Sequence, residues 1–184
     1  TGNMLAGIYE DIGERMIGDI DFIFSKDDYS KAITILKGYG YYEEKKREYN
    51  DPDERHYDRL IKENNLAAVE IHSKLLNKKK YDNEFNYSYV EKDSQVINGI
   101  TVLSYANKIN LSIVSNQIND NGYYYKTISL RNAYDVFLIS KKTNTIDAVN
   151  SLKKLSNILN FFLVVCNEVF NKVESIKYNK NDKT

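Results

Sequence analysis

Tryptophan is absent from this chain of 184 residues, and cysteine and proline each occur once. The single cysteine, Cys166, cannot close an intrachain disulfide, which excludes a disulfide-rich secreted scaffold. Long apolar runs are missing too. The longest, Ile158 to Cys166, spans nine residues and is broken by Asn160, far short of the ~20 that a membrane-spanning helix needs. No signal-peptide pattern opens the chain, so the expectation is a soluble, cytoplasmic protein without membrane contact. Net charge is lacking as well, with 26 basic and 26 acidic side chains. A protein held to nucleic acid mainly by bulk charge would carry a basic excess.

What is present is ordinary globular material, 42% hydrophobic and 28% charged. A chain of this length buries about 70% of the surface its unfolded form exposes, enough for a core without a staple. The balanced charge hides an asymmetry. Residues 1–95 carry 15 basic and 20 acidic side chains, and residues 96–184 carry 11 and 6. An acidic half joined to a basic half suits a metal in one and phosphate in the other, or simply two solvated surfaces.

Residues 3–9 read as the tail of a helix, and residues 10–18 as a glycine-containing loop. Residues 19–24 alternate and then run apolar, as a buried strand does. Ser25 is a natural cap, Asp27 and Asp28 suit a first helical turn, and Gly38 or Gly40 ends the helix. A strand is expected over 41–49, with a turn around Pro52. His56–Lys62 and Leu66–Leu75, joined by Glu63-Asn64-Asn65, predict an antiparallel hairpin. Residues 77–95 read as a long polar loop and Val96–Leu103 as a short strand. Helices are expected over about 105–118, 127–141 and 146–174. The order predicts an α+β fold: a small mixed sheet with flanking helices over 1–95, then a helical unit over 96–184 packing on it.

The most informative stretch is Gly18-Asp19-Ile20-Asp21-Phe22-Ile23-Phe24. Carboxylates two apart on a strand project to one side, ~7 Å from each other. Ile20, Phe22 and Phe24 take the other side and are expected to anchor it. Such a pair repels, and a divalent cation resolves the repulsion. Asp-x-Asp alone is weak evidence; here it opens an apolar strand, with a glycine before and a capped helix after. A third acid lies in Val69-Glu70-Ile71-His72, where Glu70 and His72 share a face opposite Val69 and Ile71. An ionisable group in so apolar a strand is costly unless it is paired or bound to metal.

These residues resemble a bacterial group of uncharacterised nucleotidyltransferases, within the superfamily related to DNA polymerase beta. The resemblance rests on Tyr9, Gly13-Glu14-Arg15, Gly18-Asp19-Ile20-Asp21, Gly40-Tyr41, His56 and Val69-Glu70-Ile71-His72, in that order over about residues 1–76. Gly99 to Ser104 and Leu130 to Val136 are compatible. The group's Lys-Gly turn would precede Thr1, which implies that the chain begins inside its first helix.

The resemblance implies transfer of a nucleoside monophosphate from a nucleoside triphosphate to an acceptor hydroxyl, with Mg²⁺ or Mn²⁺ as cofactor. It implies Asp19, Asp21 and Glu70 as catalytic metal ligands, Asp21 bridging two ions and Glu70 helping to orient the acceptor. Arg15 and Gly18 would meet the nucleotide, Arg15 by gripping a phosphate or else by pairing with Asp19. His72 and His56 would stand behind the ligands, His72 also reading as a structural histidine. Arg131 and Asp135, four apart on a helix, read as an ion pair, or else Asp135 helps to pack the helical half onto the catalytic half. Lys78–Lys80 reads as solvated surface and Tyr123–Tyr125 as aromatic packing, or else as a stack for a base. The acceptor (a small molecule, an RNA end or a protein) is open. The alternatives are an inactive module that keeps the fold for binding, or a toxin-like transferase acting on RNA or protein.

Overall fold

The computed structural model describes residues 2–44 and 55–180. A short helix α1 (Gly2–Leu5) leads through a loop to strand β1 (Asp19–Ile23) and helix α2 (Lys26–Gly38). Ser25 caps α2 as its type predicts, accepting from the Asp28 N–H. Strands β2 (Tyr42–Glu43), β3 (Leu60–Ile61) and β4 (Ala68–His72) follow. The rest of the strand expected over 41–49, and the Pro52 turn, fall outside the described residues.

The sheet order is β1-β4-β3-β2. β3 and β4 pair antiparallel, the predicted hairpin, with Asn64 in the left-handed region at its turn. β1 lies parallel to β4, with Asp21 opposite Glu70 and Ile23 opposite His72. Parallel neighbours need a crossover, and here α2 starts it and β2 and β3 complete it. α2 buries Ala32 and Ile33 on the sheet, where Ile33, Leu60, Val69 and Ile71 form a small core. Phe24 packs on that core, but Phe22, 6.3 Å from the Phe24 ring between centres, stays 40% exposed, contrary to expectation. It lies near the end of β1, an edge strand with a neighbour on one side alone among the described residues.

The stretch 77–95 is not a loop. It holds helix α3 (Tyr87–Glu91), capped by Asn86, whose side chain accepts from the Tyr89 N–H. Phe85 and Val90 from this stretch are buried, so two apolar side chains fix a polar segment to the core. The region read as one strand over 96–103 is a hairpin, β5 (Gln95–Ile97) and β6 (Ile100–Val102). Asn98 and Gly99 at its turn both have positive φ, as a two-residue hairpin loop requires.

The back half is helical: α4 (Tyr105–Val114), α5 (Gly122–Tyr125), α6 (Leu130–Ser140), α7 (Thr145–Asn150) and α8 (Ser156–Val169). α4 continues as a π-helical turn over Ser115–Asn119. The helix expected over 146–174 is broken between α7 and α8. Leu152 and Leu155 in the break stay fully buried, and their amides bond three residues back. The apolar period therefore runs through a change of backbone that it does not reveal. Ile109, Ile113, Val136, Ile139, Leu159 and Phe162 build a core that Ile8, Leu75, Leu76, Phe85 and Val90 enter from the front half.

Candidate metal and phosphate site

Alternation along β1 puts Asp19, Asp21 and Ile23 on one face. Ile23 packs on the helical core and so turns that face toward the back half. On β4, Val69 and Ile71 are driven into the sheet core, which forces Glu70 and His72 to the opposite side. The parallel register then brings the two strands' polar faces together.

There, His72 Nε2 lies 2.9 Å from Asp21 Oδ1 and 3.6 Å from Glu70 Oε2. One donor atom from each of Asp21, Glu70 and His72 falls within 4.8 Å of the others, close enough to share one cation. The Glu70 side chain is 19% exposed, His72 7% and Asp21 56%. Glu70 is thus turned inward to the site and Asp21 forms its open side. The hydrogen bond from His72 holds the Asp21 carboxyl below the usual carboxylate range, against the opposing effect of burial. Nε2 donates in that bond, because an ionised carboxylate only accepts. His56 pairs with His72 through an isolated antiparallel bridge, and the two rings lie 5.2 Å apart. A hydrogen bond of 2.8 Å joins His56 Nδ1 to the Tyr57 carbonyl.

Beside the acids opens a cleft of about 140 Å³, lined by Tyr9, Arg15, Gly18, Asp19, Asp21, Arg131 and Asp135 among others. Asp19 is on this cleft and not in the Asp21–Glu70–His72 set. The Gly18 carbonyl accepts from Arg59 Nη2 at 3.0 Å, which ties the strand's entry to β3's flank.

Asp135 corrects the expected pairing. Among the described residues its partners are Tyr9, whose hydroxyl donates at 2.6 Å, and Arg15, whose Nε donates at 3.4 Å, and not Arg131 one turn before it. The Asp135 side chain is only 6% exposed, so it takes cations and donors that reach it inside the fold. Arg15 also donates from Nη1 to the Met16 carbonyl. Glu14 accepts from Tyr134 at 2.6 Å, a second tie between this loop and α6. The signal for Asp135 was present in the sequence: an acid beside Val136 and Ile139 on the buried face of α6. Arg131 at the helical spacing is the competing local partner, and the tie from α6 to the front half is the one that forms.

Of the other expectations, Tyr123, Tyr124 and Tyr125 are all exposed, Tyr123 edge to face with Phe161 and Tyr124 with Tyr125. No helix among the described residues is long and apolar enough to cross a membrane.

Comparison with known proteins gives one match. The sequence model of a family described as uncharacterised nucleotidyltransferase covers residues 2–171. No curated protein and no solved structure matches the chain.

Proposed function

This chain belongs to that uncharacterised nucleotidyltransferase family, and we propose that it moves a nucleoside monophosphate from a nucleoside triphosphate to an acceptor hydroxyl with the help of a divalent cation. The acceptor oxygen forms a bond to the α-phosphorus, the bond to the pyrophosphate oxygen breaks, and the hydroxyl proton passes to solvent.

The donor set fits a hard divalent ion: carboxylates on adjacent strands, Glu70 enclosed and Asp21 open to solvent, whose oxygens come close enough to share a cation. Asp19, Asp21 and Glu70 would hold it, as Mg²⁺ or Mn²⁺. When bound, such an ion supplies positive charge to the phosphates and eases loss of the acceptor's proton. The protein's residues do the rest. Arg15 presents guanidinium N–H groups to a phosphate, and Asp135 and Tyr9 keep it aimed. Gly18 adds no side chain where the nucleotide passes the strand's entry. Glu70, the more enclosed acid, faces the acceptor and orients its hydroxyl. His72 keeps Asp21 ionised, and His56 packs behind His72.

The observation that carries this reading is the register of β1 on β4, which sets Glu70 directly across from Asp21. The test is incubation with Mg²⁺ or Mn²⁺ and each labelled triphosphate, trying small-molecule, RNA and protein acceptors. Pyrophosphate release should fall at least ~100-fold in Asp21→Asn and Glu70→Gln, the scale on which lost electrostatic stabilisation is felt. Nucleotide binding without release under every condition would make the chain a binding module instead.

A further inference from the structure

His72 lies within the cluster and not behind it. A group that merely orients a ligating carboxylate reaches it from the far side, away from the other ligands. His72 Nε2 instead stands 2.9 Å from Asp21 Oδ1 and 3.6 Å from Glu70 Oε2, between the two acids. Bonds of ~2.1 Å put neighbouring donors ~3.0 Å apart at a right angle and ~3.4 Å apart at the tetrahedral angle. The two contacts of Nε2, 2.9 and 3.6 Å, bracket those values, and the three donor atoms together fall within 4.8 Å.

We propose that His72 is itself a ligand through Nε2, adding one nitrogen to the carboxylate oxygens of the site, a mixture that selects Mn²⁺ and later first-row ions over Mg²⁺. The proposal rests on the divalent-ion reading of Asp21 and Glu70 and adds a donor and a preference to it. Mg²⁺ is hard, takes oxygen and keeps its waters. First-row ions accept imidazole nitrogen, and their affinities for such sites rise along the series from Mn²⁺. The ring is ready to serve. His72 is buried, its backbone is fixed in β4, and its carbonyl accepts from the Phe24 N–H at 3.1 Å. The hydrogen bond to Asp21 and a bond to a cation are alternative uses of the same nitrogen, so loading moves the ring proton to Nδ1.

The full chain contains two histidines, which makes the test direct. Mn²⁺ is the probe, read by pulsed electron paramagnetic resonance on protein carrying ¹⁵N-histidine. The expected result is a nitrogen coupling that follows the label in the wild type and in His56→Gln and disappears in His72→Gln. In competition, Mn²⁺ should displace Mg²⁺ with about tenfold preference, and His72→Gln should lose most of that ratio. If His72→Gln does not fold, the labelled His56→Gln chain decides alone, since His72 is then its only histidine. Mn²⁺ bound without nitrogen coupling overturns the proposal and leaves the carboxylate site standing. Absence of Mn²⁺ binding overturns both.

Discussion

The Tyr9 hydroxyl donates to Asp135 at 2.6 Å across 126 positions of the chain, joining the loop before β1 to the middle of α6. Burial first, and the hydrogen bond to the carboxylate second, push the phenol up to about 12. Asp135 is nearly enclosed, and losing the Tyr9 hydroxyl takes away the shorter of its bonds from Tyr9 and Arg15. Tyr9→Phe is expected to cost ~1–3 kcal/mol, the penalty of a buried group left short of a partner. Urea denaturation measures it, and a loss under ~0.5 kcal/mol would show the bond to be incidental.

Lys108 gives a prediction of the opposite sign. The residue is 4% exposed, and its Nζ has no hydrogen-bond partner among the described residues. It faces the Tyr105 ring, 5.3 Å from its centre. Burial lowers its amine to about 8, from the usual lysine value of 10.5. Below pH 8 the amine is charged in both states, and the fold carries the whole cost of enclosing it. Between about 8 and 10.5 the folded protein gives up the proton while the unfolded chain keeps it, so stability rises with pH across that window. Lys108→Met keeps the reach and drops the charge. It should stabilise by ~1–3 kcal/mol at pH 7, a Tm rise of several degrees, with the advantage shrinking toward pH 10. Thermal melts of both proteins at pH 7 and 9.5 check the size and the trend.

Much of the front half was legible because local rules agree there. The Asp19/Asp21 alternation, the Ser25 cap and the Asn64 turn each depend on near neighbours, and each stands where its residue type puts it. The pairing of β1 with β4 is not local, so no spacing in the sequence announces that Asp21 faces Glu70; there the family pattern substituted for physics. α3 was missed because its five residues sit in a polar stretch and owe their place to Phe85 and Val90. The Asn98-Gly99 turn is a local signal for a hairpin, and it outweighs the continuous apolar pattern that reads as one strand. The break between α7 and α8 was hidden for a different reason, since Leu152 and Leu155 keep the apolar period through it.

Gly122 tests how tightly the connection after α4 is packed. A Cβ there would stand 2.8 Å from the Asn116 carbonyl oxygen, 2.9 Å from the Gln117 side chain and 2.9 Å from the Thr127 carbonyl oxygen. Two of the three are backbone, and the segment is knitted by Gln117 donating to the Thr127 carbonyl and the Ser129 N–H donating to Asn116. Nothing can step aside without breaking that network. Gly122→Ala should cost ~2 kcal/mol or more, at the upper end for a small-to-large change. A chemical-denaturation midpoint unchanged from wild type would contradict this packing.

The cleft's charge carries a prediction about how nucleotide binds. Arg15 and Arg131 line it together with Asp19, Asp21 and Asp135, so its wall is negative by one charge before Glu70 is counted. A triphosphate brings about four more negative charges, and like charges a few ångströms apart oppose it. Two guanidinium groups, one of them already donating to Asp135, do not offset that repulsion. Affinity for a nucleoside triphosphate should therefore require a divalent ion, and chelation should weaken it at least tenfold, or ~1.4 kcal/mol. In Asp21→Asn the wall loses a charge and the site loses a ligand, so the difference made by the chelator should shrink. Titration with a fluorescent ATP analogue, with and without chelator, reads both effects. Equal affinity in the two conditions would mean that the arginines alone hold the phosphates and that the acids serve some purpose other than cation binding.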